Sequence, residues 1–116
     1  MKVAIPVWEN RISPVFDTTA HILQAEIIDK MLAKKEMLSL ESLTIYQRIE
    51  LLDNLGIDIF ICGGITRPLL DSIRNKNIKT IPYVCGNVDK ILSALCDGED
   101  IKSLFSMPGN SNKEDG

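Results

Sequence analysis

Two cysteine-glycine turns carry the residue types best suited to chemistry in this sequence. The first reads Cys62-Gly63-Gly64-Ile65-Thr66-Arg67 and the second Cys85-Gly86-Asn87. A thiolate beside a helix N-terminus is stabilised by the positive end of the helix dipole and is a ligand for soft metals and sulfide clusters. Glycines beside it let backbone N–H groups come close to an anion. Arg11 and Arg67 add positive charge, so the candidate binding residues are Arg11, Cys62, Gly63, Gly64, Thr66, Arg67, Gly86 and Asn87, with Cys62 and Cys85 as candidate metal ligands. Cys62 and Arg67, with four residues between them, also have the layout of a thiolate loop cradling an oxyanion or persulfide, although no catalytic acid accompanies them. A plainer reading stands beside each of these. A Gly-Gly pair is an ordinary tight turn, and cysteine is among the most frequently buried residue types. Cys96, among Ser93, Ala94 and Leu95 on an apolar helical face, reads as structural.

These turns take their meaning from the elements around them. Residues 2–7 form a short apolar strand ended by Pro6, and 8–17 read as a loop too long for a simple hairpin, with Trp8 and Phe16 pinning it to the core. Residues 21–29 and 35–40 suit an antiparallel pair joined by 30–34, and His21 falls at its surface or edge. From Ser42 the period changes, and Ile45, Ile49, Leu52 and Leu55 mark one face of a helix closed by Gly56. Two strand-glycine-helix units follow. In the first, 57–62 is the strand and the helix runs from Thr66 as N-cap to Lys76. In the second, 78–84 is the strand, Asn87 caps the helix, Val88, Ile91, Leu92 and Leu95 form its buried face, and Gly98 closes it. Such units imply a parallel sheet, with ligands bound beyond the carboxyl ends of its strands.

Composition bounds the rest. The 116 residues, 45% of them hydrophobic, suit one domain, here residues 1–107, followed by a polar disordered tail at 108–116. Thirteen basic against sixteen acidic side chains leave a net charge of -3, with no footprint for nucleic acid. No apolar run approaches the roughly 20 residues that span a bilayer, and no signal-peptide pattern opens the chain, so a cytoplasmic protein without a membrane partner is expected. Three separated cysteines and one histidine build neither a disulfide framework nor a zinc cage.

The opening Lys2-Val3-Ala4-Ile5-Pro6-Val7, then Arg11-Ile12-Ser13-Pro14-Val15-Phe16, the mid-chain Cys62-Gly63-Gly64-Ile65 and the closing strand-glycine-helix unit resemble the dinitrogenase iron-molybdenum cofactor biosynthesis family, in its nitrogenase accessory factor-like form. The resemblance covers residues 1 to about 100 and lies in the order and spacing of these segments. It implies a three-layer α/β fold with a ribonuclease H-like motif and a mixed five-stranded sheet of order 3-2-1-4-5. It also implies a non-catalytic carrier of iron-molybdenum cofactor or a related metal-sulfur cluster, working with cofactor-assembly proteins. Many members carry His where this chain has Val15, which removes one imidazole from cluster binding. Two other functions follow from the residues. One is a metal-free regulatory or interaction module using the same crevice; the other is a cysteine-loop, sulfurtransferase-like enzyme. A ribonuclease H-like nuclease is excluded, because residues 2–7 lack a carboxylate and Glu9 and Asp58 alone cannot hold its metals.

Overall fold

The computed structural model describes residues 1–108, so the expected tail lies, apart from Pro108, outside the described residues. The chain forms strands β1 (Lys2–Trp8), β2 (Arg11–Ile12), β3 (His21–Ile28) and β4 (Met31–Ser39), then helix α1 (Ile45–Asn54). Strand β5 (Ile59–Ile61), helix α2 (Arg67–Arg74), strand β6 (Lys79–Ile81) and helices α3 (Val88–Cys96) and α4 (Ile101–Phe105) complete it. The result is a mixed α/β fold with a six-stranded sheet ordered β4-β3-β1-β5-β6, in which β2 pairs with β1 off that path. β1 runs antiparallel to β3 and parallel to β5, and β5 parallel to β6.

This sheet differs from the five-stranded 3-2-1-4-5 expectation by β2, which arises inside the segment read as a long loop. Glu9 adopts a left-handed φ of 57°, which folds the chain back at once so that Trp8 lies opposite Arg11 and Val7 opposite Ile12. The β3–β4 connection is also tighter than expected. Asp29 and Lys30 both take positive φ, at 52° and 64°, the geometry that matches strand twist in a two-residue turn. Met31, Leu32 and Ala33 therefore belong to β4 rather than to a turn. Ala33 is an extra residue, since Glu26 faces Lys34 and Ile27 faces Leu32.

Each helix is set by local chemistry. Thr44 and Gln47 form a reciprocal capping box at the start of α1, and Gly56 follows its end at φ 71°. Asn87 accepts from Lys90 N–H at the start of α3. α4 was not expected; its cap is Asp100, which accepts from Ser103 N–H. The helices cover both faces of the sheet. Val3, Ile5 and Val7 pack with Val88, Ile91 and Leu92 of α3 and Ile101 of α4. On the other face Ala4 and Phe60 pack with Ile49 and Leu52 of α1 and Leu69, Leu70 and Ile73 of α2. Alternation along β1 thus feeds two separate cores. Pro6 is tolerated near the centre of the sheet because the β1–β5 pairing stops at Ala4, while pairing with β3 continues to Val7.

Candidate functional site

The carboxyl ends of β1, β5 and β6 bring together the first loop and both cysteine-glycine turns, but the loop itself fills the crevice between them. Gly64 N–H donates to Pro14 O at 2.6 Å, and Phe16 N–H donates to Gly64 O at 3.0 Å. A Cβ on Gly63 would lie 2.6 Å from Ser13 O and 2.8 Å from Pro14 O. The two glycines do permit close backbone approach, as expected, and the backbone that approaches is the chain's own. At the second turn Ile12 N–H donates to Gly86 O and Val88 N–H to Asn10 O, both at 3.0 Å. Gly86 holds φ 130°, and a Cβ there would meet the Phe105 ring at 3.3 Å. The Asn87 side chain is engaged in capping α3.

The cysteines divide by environment. Cys62 is fully buried in the core that contains Phe16 and Phe60, whose rings meet edge to face with centroids 4.9 Å apart. Burial pushes its thiol up to about 12; Arg74 opposes the rise and Asp17 adds to it. A neutral thiol sealed in this way offers neither a thiolate ligand nor a nucleophile at neutral pH. Cys85 is half-buried; its N–H donates to Phe105 O at 2.8 Å and its Sγ lies 3.7 Å from Ser106 O. Cys96 packs against the α3-side core. Among the described residues, no group of three His, Cys, Asp or Glu side chains could hold a metal ion. His21 is exposed at the start of β3.

The charged candidates lie on the outside. Arg11 is exposed on β2, opposite Trp8, which is 64% exposed and so does not pin the loop. Phe16, with no exposure, is the residue that does. Arg67 is exposed and pairs with Asp71 at 3.3 Å. Thr66 sits at the N-cap position of α2, but its hydroxyl donates to Asp17 Oδ2 at 3.3 Å instead of capping the helix.

Two residues that the sequence reading passed over organise this region. Asp17 Oδ1 is buried and accepts no hydrogen bond among the described residues. Arg48 is buried on α1. Its guanidinium donates to the carbonyls of Phe16, Thr19, Leu40 and Leu43, clamping the loop to α1. Arg48 lies on the stripe marked by Ile45, Ile49 and Leu52, and a cation on an apolar helical face is the signal that could have found it.

No family model matches the sequence, and no curated protein matches it significantly. Solved structures do resemble it. The protein PH0822 superposes with a TM-score of 0.79 at 16% identity, covering 95% of this chain and 97% of that one. A Methanocaldococcus jannaschii protein described as a "putative dinitrogenase" gives 0.71 at 22% identity, covering 85% and 90%. A Thermotoga protein described as a "putative NifB protein" of the DUF35 family gives 0.65 at 17%, covering 93% and 98%. The chain therefore shares its fold, over nearly its whole described length, with proteins that carry nitrogenase-related descriptions.

Proposed function

We propose that this chain is a non-catalytic binding domain in the handling of nitrogenase-type cofactors, with an anionic iron-molybdenum or related metal-sulfur cluster as its cargo. The observation that carries the proposal is the match in fold, over 85% and 93% of this chain, to the two proteins described as a "putative dinitrogenase" and a "putative NifB protein". The same reading takes the sheet as a ribonuclease H-like motif extended by β2. The crevice does not fit a bulky cluster, because residues 13–16 fill it. The cargo is instead held outside the loop, where exposed Arg11 and Arg67 supply charge and half-buried Cys85 is the less buried of the two turn cysteines. Cofactor-assembly proteins are the expected donors and acceptors.

The test is anaerobic purification with metal and sulfide analysis, followed by add-back of cluster to wild type, Arg11→Glu and Cys85→Ser. Bound molybdenum, iron or copper with sulfide is expected, reduced in both variants. A colourless protein that takes up none of these metals overturns the proposal.

A second reading, a metal-free interaction module in a cytoplasmic setting, is favoured by one observation: the loop that closes the crevice displays Trp8, Arg11 and Val15 on its outer surface. Partner binding that survives Cys62→Ser with Cys85→Ser and carries no metal would select it. The raised Cys62 thiol weighs against the sulfurtransferase-like reading.

A further inference from the structure

Trp8 is the single tryptophan of the chain, yet it is 64% exposed and belongs to neither core. Its place in the β1–β2 hairpin fixes its neighbour. Trp8 lies directly opposite Arg11, and the next pair, Val7 with Ile12, is buried on the α3 side. Alternation therefore puts the Trp8 and Arg11 side chains together on the other face, with β-carbons about 5 Å apart. Neither side chain is engaged. Among the described residues the indole N–H has no acceptor and the guanidinium no carboxylate, that of Glu9 in the turn between them included. The hairpin that carries the pair is fixed from behind. Ile12 N–H donates to Gly86 O and Val88 N–H to Asn10 O, and the Asn10 amide donates to Asp89 at 3.3 Å.

An indole N–H and a guanidinium donate hydrogen bonds and accept none, and the charge of the second makes the matching acceptor an anion. The indole face and the weakly hydrated guanidinium also favour an anion that releases its water easily, whereas strongly hydrated oxoanions are excluded from such surface. We infer that Trp8 and Arg11 form one contact site for a weakly hydrated, sulfur-coated anion and discriminate against the oxoanion of the same shape and charge. The inference deepens the cargo reading and rests on it in placing the anion outside the loop; Trp8 and the selectivity are what it adds.

The test sets tetrathiomolybdate against molybdate, both tetrahedral dianions, on the 15N-labelled full chain under anaerobic conditions. With one tryptophan in the chain, a single indole N–H resonance reports the site. Tetrathiomolybdate is expected to shift it saturably, and molybdate to bind at least about tenfold more weakly. Equilibrium dialysis with molybdenum analysis is expected to give binding at least about tenfold weaker for Trp8→Ala and for Arg11→Gln, with Arg11→Lys between Arg11→Gln and wild type. Both positions are exposed, so an unchanged thermal midpoint verifies the fold, and should a variant unfold, the wild-type indole shift and the contrast between the two anions decide. Equal affinity for the two anions, no saturable indole shift, or binding lost in Cys85→Ser but kept in Trp8→Ala overturns the inference. Cluster taken up equally by wild type and Trp8→Ala also overturns it and leaves the cargo reading standing. Tetrathiomolybdate at the indole without any cluster uptake supports the site and overturns that reading.

Discussion

Cys62 and Gly63 are adjacent, and the same environment acts on both. The buried thiol titrates at about 12 in the folded chain against 9.0 as its ordinary value. Because the unfolded thiol loses its proton first, its contribution is fully present below pH 9 and is lost as pH rises toward 12. Between pH 8 and pH 10.5, wild type is expected to lose about 2 kcal/mol more stability than Cys62→Ala, measured by urea unfolding at both values. Equal losses would mean that the thiol is open to water. At Gly63 the clash is with main-chain oxygens that cannot swing aside. Gly63→Ala is expected to cost about 2–3 kcal/mol and to loosen residues 13–16, read as faster amide exchange there. An unchanged midpoint would show that the loop is not packed on this turn.

At the scale of elements, the loop before β3 is held by two devices of different strength. One is the Arg48 guanidinium, which spans Phe16, Thr19, Leu40 and Leu43. Replacing it by Met leaves buried carbonyls without their donor, and a loss of about 3 kcal/mol is expected. The other is the α1 capping box, where Thr44→Ala is expected to cost about 1 kcal/mol because only the end of one helix is affected. Thermal unfolding of the two variants checks the order, and a Thr44 effect as large as that of Arg48 would contradict the clamp. The Gly56 stop and the Asn87 cap were legible because they depend on residues a few positions apart, whereas the Thr44–Gln47 capping box was not read although its spacing is equally local. The two-residue hairpins were misplaced because Glu9, Asp29 and Lys30 take left-handed conformations that sequence assigns first to glycine and asparagine.

For the molecule as a whole, the exposed margin of the sheet decides how it meets other chains. Strand β6 is a three-residue edge, but β4 is nine residues long and largely exposed, with Met31, Leu32 and Met37 on its surface. Two devices guard it: the extra residue Ala33, which breaks the ladder, and the charges of Lys34 and Lys35, the latter paired with Asp89 at 3.4 Å. The chain is therefore expected to be monomeric in solution. Lys34→Val with Lys35→Val is expected to produce concentration-dependent association in light scattering. A double variant that stays monomeric at high concentration would show that the bulge alone is sufficient.

The sequence by itself determined the α/β class, the strand-glycine-helix units, the Asn87 cap and the glycine stops at Gly56 and Gly98, because periodicity and capping are local properties of the chain. It also picked out the two cysteine-glycine turns as places where backbone comes close to something. Only the tertiary structure decided what comes close. The approach of residues 10–16 to Gly63, Gly64 and Gly86 joins segments about fifty to seventy-five positions apart, and no local pattern encodes such a pairing. The same long-range packing sealed Cys62 in the core, left Arg11 outside and stranded one oxygen of Asp17, because burial is a property of the assembled layers and not of residue type.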